Sequence, residues 1–66
     1  MTDTGEIIRL CRYKYGWSRR RLAERSGVPY NTIVTVERRG DCRVSTFERL
    51  LDAMGYEMEV FRKEKL

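Results

Sequence analysis

Four glycines, Gly16, Gly27, Gly40 and Gly55, divide this chain into short segments, each carrying apolar residues at helical spacing before its glycine. A glycine just past the last periodic residue is the usual stop signal of a helix. Helices this short gain little stability alone and must bury an apolar stripe against one another. The pattern therefore predicts an all-α fold, a compact four-helix domain, over residues 4–55. Helix one is expected over residues 5–15, with Asp3 and Glu6 as a capping box and Ile7, Ile8, Cys11 and Tyr15 facing inward. Helix two is expected over residues 19–25 behind the N-cap Ser18, with Leu22 and Ala23 as its apolar contact. Val28-Pro29 forces an extended step, because a residue before proline avoids the helical region. Helix three follows over residues 30–39, with Ile33 and Val36 inside. Asn31 could instead cap a slightly shorter helix. Ser45 and Glu48 read as a capping box opening helix four, whose Phe47, Leu50, Leu51 and Met54 recur at i, i+3, i+4 and i+7. Trp17, in the link before helix two, is placed to plug one end of the core.

After Gly55 the period changes. Tyr56, Met58 and Val60 alternate with Glu57, Glu59 and Phe61, a strand pattern of period two. The competing possibility, a longer helix four, conflicts with Gly55 and with the alternation. No second strand is evident elsewhere, so a strand here needs a partner from another molecule. Residues 56–66 are thus expected to be a dimerisation element, with Tyr56, Met58, Val60 and Phe61 carrying the contact. A domain of 66 residues buries only about 60% of its unfolded surface, so dimerisation would relieve a small core.

Charge is unevenly spread. From Arg9 to Arg43 stand ten basic residues against three acids, +7 in a chain whose formal charge is +4, so the two ends together carry −3. A basic middle between acidic ends suits a polyanion bound at one surface, although a solvated arginine-rich helix face gives the same count. The outward side of helix three carries Tyr30, Asn31, Val34, Thr35 and Arg38. Ordinary exposed faces favour Lys, Glu and Gln, whereas this one holds β-branched and amide side chains and no acid. Asn can bond adenine N6 and N7 together, and Thr or Val methyls can pack on the thymine methyl.

Cys11 and Cys42 are the only cysteines and there is no histidine. Common zinc spacings therefore lack a ligand set, the commonest proton shuttle is missing, and free thiols in a reducing cytoplasm are expected. No cofactor is implied, and nothing suggests an enzyme. No run approaches the roughly 20 apolar residues of a membrane helix, and MTDTGEII does not resemble a signal peptide. A soluble cytoplasmic protein is expected.

Residues 7–55 resemble the helix-turn-helix domain of the phage lambda repressor and Cro family, which includes xenobiotic-response-element-type bacterial regulators. The carrying stretch is WSRRRLAERSGVPYNTIVTVERRG, residues 17–40. The resemblance implies a regulator, a repressor by expectation, that binds a palindromic operator on double-stranded DNA as a homodimer, with residues 29–39 in the major groove. Ser18 corresponds to the cap of helix two, and Arg19 to a position where the family commonly has a glutamine touching phosphate. Tyr30, Asn31, Thr32 and Thr35 match exposed recognition positions. Arg12 and Glu37 match an arginine–glutamate pair that ties helix one to the end of helix three. Arg38-Arg39 departs from the family's usual Asn-Gly ending and widens the expected phosphate contact, together with Arg43 in the following loop. Trp17 replaces a smaller aliphatic residue. The tail is similar to C-terminal strands of antitoxin-type members, which makes an antitoxin with a toxin protein as partner one alternative. A protein-interaction adaptor on the same fold is the other.

Overall fold

A computed structural model of the protein describes residues 3–59 and contains four helices, α1 (Thr4–Tyr15), α2 (Arg19–Ser26), α3 (Tyr30–Arg39) and α4 (Val44–Ala53). Their boundaries follow local chemistry at three of the four starts. Asp3 accepts from the Glu6 N–H at 2.8 Å, and the Ser18 hydroxyl accepts from the Arg21 N–H at 3.1 Å. Such caps satisfy donors that have no partner inside the helix. At α3 the cap position is Pro29, in extended conformation, whose carbonyl takes the Thr32 and Ile33 N–H groups. Asn31 therefore lies inside the helix, and its capping alternative falls away.

α4 corrects the expectation at Ser45. The helix begins at Val44, and its cap position is Arg43, extended and without a side-chain cap bond. The Arg43 carbonyl already accepts from the Phe47 N–H at 2.9 Å, which puts Ser45 within the first turn instead of before it. A side-chain cap contributes about 1 kcal/mol, less than the packing that α4 makes against α1 and α2. The apolar periodicity is unaffected, because it depends on spacing and not on where the helix starts.

Ile8, Leu22, Ile33 and Leu50, one from each helix, are fully buried; Val28, Val36, Leu51 and Met54 complete the core. Each buried aliphatic side chain contributes about 1.5–3 kcal/mol through lost water contact. Ile7, Cys11, Trp17, Ala23, Cys42 and Phe47 close over them from the sides. Tyr15 does not join them. It is 51% exposed and sits edge-on to Trp17 with ring centroids 4.6 Å apart. Four residues after Ile8 the inward position of α1 belongs to Arg12, which is 6% exposed, so the core ends there in a polar layer with Trp17 beside it.

The first turn of α1 lies directly on the last turn of α3. A Cβ on Gly5 would collide with the Val36 carbonyl oxygen and lie 3.0 Å from the Gly40 Cα and 3.1 Å from the Glu37 Cα. Thr4 donates its hydroxyl to the Gly40 carbonyl at 2.8 Å, fixing the same approach. Gly40 itself has φ +88, a conformation that favours glycine, and returns the chain from α3 toward α4.

Residues 56–59 are irregular, and no strand occurs among the described residues. The expected strand therefore has no counterpart in the single chain as far as it is described, consistent with its lack of an intramolecular partner. Val60 and Phe61, two of its expected contact residues, lie outside the described residues. Tyr56 donates its N–H to the Leu51 carbonyl at 2.9 Å. Tyr56, Glu57 and Met58 flank a shallow groove on the solvent side of α4, with Ser45, Glu48, Arg49 and Asp52 opposite. Leu51 and Met54, on the apolar stripe of α4, are buried inside the four-helix core.

Candidate nucleic-acid interface

α3 buries Ile33, Val36 and Glu37 and exposes Tyr30, Asn31, Arg38 and Arg39, with Thr32, Val34 and Thr35 half-buried between. The exposed part of α3 is a ridge with concavities on both sides. On one side, Asn31, Thr32, Thr35 and Arg39 face Asp41, Cys42, Arg43 and Thr46 across a groove of about 380 Å³. On the other, Tyr30 adjoins Ser18, Arg19 and Arg20 at the start of α2, and Val34 and Arg38 adjoin Arg9 and Arg19. All ten residues expected to bind nucleic acid thus lie on or beside this ridge.

Glu37 organises the second side. Arg12 donates to it as a fork, Nε to Oε2 at 2.9 Å and Nη2 to Oε1 at 3.0 Å. Two parallel bonds between guanidinium and carboxylate are the strongest form of this contact. Arg12 also donates through Nη1 to the Trp17 carbonyl at 3.1 Å, which joins the end of α1 to the link before α2. The expected Arg12–Glu37 pair is therefore formed, and it is nearly dry, with side chains 7% and 1% exposed. Burial alone would raise the Glu37 pKa; the hydrogen bonds and charges of Arg12 and Arg19 outweigh it and hold the carboxyl below its ordinary range.

Arg19 is the unexpected member. Beyond the phosphate contact that the resemblance implies, its Nε donates to Glu37 Oε1 at 2.9 Å while its side chain stays 40% exposed. The bond uses one of the five guanidinium N–H groups. Ser18 has a double assignment of the same kind, because its oxygen caps α2 while its O–H can still donate outward.

Three further side chains belong to this face. Arg20 places its guanidinium 5.6 Å from the centre of the Tyr30 ring, within cation–π range. Thr46 lines the first groove from α4, and Arg9 lines the groove beside Arg38 from α1. Arg9 was legible in principle: it stands one helical turn before Arg12, on a helix whose Arg12 points toward α3. Thr46 carried no local signal.

Cys42, half-buried, lines the first groove and packs against the core. Burial pushes its thiol pKa up, and the charge of the neighbouring Asp41 adds to that. A thiol held protonated is a poor nucleophile. No helix among the described residues is long and apolar enough to cross a membrane.

Fold and site together define a small four-helix domain whose third helix stands out as a polar ridge between arginine-lined grooves. Comparison of the chain with protein-family models, with curated proteins and with solved structures finds no match.

Proposed function

We propose that this protein is a sequence-specific DNA-binding regulator, a repressor in the manner of the lambda repressor and Cro family, with α3 as the helix that enters the major groove. The observation that carries this reading is the composition of the α3 ridge. Asn31 and Thr35, one turn apart, suit base edges, while Arg39 and Arg43 on one side and Arg19 and Arg38 on the other suit the two phosphate backbones that border a groove. A B-form major groove is about 12 Å wide and admits one α-helix. A two-fold homodimer would set two copies of α3 about 34 Å apart, matching a palindromic operator.

Selection from a random DNA pool, followed by fluorescence anisotropy over a salt series, tests the reading. Affinity for the selected site should fall steeply with salt, and Asn31→Ala should cost roughly 1–3 kcal/mol there while leaving random DNA unaffected. Retention of full site preference by both Asn31→Ala and Thr35→Ala would remove α3 as the reader.

Dimerisation through the tail is part of the same proposal: antiparallel pairing of residues 56–62 from two chains, with Glu57 opposite Arg62 or Lys63, is a favourable charge pattern that falls partly outside the described residues. Truncation after Gly55 should give monomers in sedimentation and much weaker operator binding. A truncated chain that still dimerises moves the interface to α4.

A further inference from the structure

We propose that the groove between α1 and α3, with Arg9, Arg19 and Arg38 at its rim and Glu37 at its floor, is a phosphate seat in which Glu37 is the positioning residue for Arg19. This rests on the DNA-binding reading and adds to it a contact residue, Arg9, and a role for a buried carboxylate that touches no ligand. Arg9, Arg19, Val34, Glu37 and Arg38 line one concavity. The Glu37 charge is answered by buried Arg12, so the three rim arginines leave the groove with three positive charges in excess. A phosphodiester oxygen is the chemistry that several converging guanidiniums recognise.

A free arginine loses considerable side-chain freedom when it binds, which offsets part of the contact it makes. Arg19 has already lost much of it. Its Nε is held at 2.9 Å by a carboxylate that is itself gripped by Arg12, while 40% of the side chain remains open to solvent. The Glu37 carboxylate thus orients the outer N–H groups of Arg19 toward the groove mouth before any phosphate arrives.

This arrangement reverses the ordinary electrostatic expectation. Glu37→Gln removes a negative charge beside a polyanion, which by charge alone should tighten DNA binding. If Glu37 positions Arg19, binding weakens instead, by about fivefold, the size of one ordinary hydrogen bond. That loss should vanish in an Arg19→Ala background, and the fold of each variant is checked by circular dichroism at the binding temperature. Arg9→Ala, away from the buried pair, should lower the log–log salt slope by about 0.9 on selected and random DNA alike. In the wild-type chain, titration with inorganic phosphate should shift the Nε resonances of Arg9, Arg19 and Arg38 together, ahead of those of Arg21 and Arg49. Tighter binding by Glu37→Gln, an unchanged slope for Arg9→Ala, or phosphate shifts spread evenly over all arginines each overturn the seat. If the wild-type chain binds no DNA yet phosphate moves the three rim resonances together, the seat stands and the DNA-binding reading falls.

Discussion

Glu37→Ala should destabilise the domain by about 3–5 kcal/mol, because it strands the guanidinium of Arg12 in a site from which water is almost excluded. A domain of 66 residues has only about 3–10 kcal/mol of net stability, so the loss is a large share of it. For a domain this small each kcal/mol moves the melting temperature by about 4–8 °C, which makes a fall of at least about 12 °C readable by circular dichroism. Arg12→Ala should be nearly as harmful, since it leaves the buried carboxylate with Arg19 alone. The double variant should lose much less than the two single losses together, the signature of coupled partners. Additive losses would mean that the pair contributes nothing as a pair. The same site predicts acid sensitivity. A carboxyl whose folded pKa lies below its unfolded value binds protons more weakly in the folded state. Its stabilising contribution is therefore complete above its ordinary value of 4.5 and fades as pH falls through the lower folded value. Glu37→Gln should flatten that acid limb of the stability curve while leaving the other carboxylates to set what remains.

Gly5→Ala should also destabilise, although helix propensity alone says the opposite. Within a helix Ala is favoured over Gly by about 1 kcal/mol. Here the new methyl would meet the Val36 carbonyl oxygen and the Cα atoms of Glu37 and Gly40, all of them main chain that no rotamer change can move aside. Overpacking of this kind costs about 1–3 kcal/mol, and Gly5→Val, with two further methyls, should cost more. The displacement would act beyond stability, because the α1–α3 approach also sets Arg12 against Glu37 and hence Glu37 against Arg19. Thermal melts of Gly5→Ala and Gly5→Val, with loss of α1–α3 contacts by nuclear Overhauser effects, check this. A melting temperature that rises in Gly5→Ala would mean that the helices separate at no cost.

Ser18, Gly27, Pro29 and the apolar pair Ile33 and Val36 marked α2, the connection and α3 from the sequence, because caps, stops and one-turn spacing act over four residues or fewer. The outward position of Asn31 and the exposed pair Arg38 and Arg39 follow from the same periodicity once Ile33 is placed inside. Tyr15 misled for an equally local reason: its spacing from Ile8 is helical, but the core had already ended at Arg12.

What the chain alone determined, then, is which segments are helical, where each stops and which stripe of each is apolar, since those properties depend on near neighbours and on solvent. The tertiary structure decided the rest. Thr4 reaches Gly40 across 36 positions, Arg12 reaches Glu37 across 25, and Arg19 reaches Glu37 across 18. Periodicity carries no information over such separations. The bare face of Gly5, the shared carboxylate and the two grooves beside α3 arise only when helices meet at a particular distance and angle. That distance is set by the volume of the side chains between them.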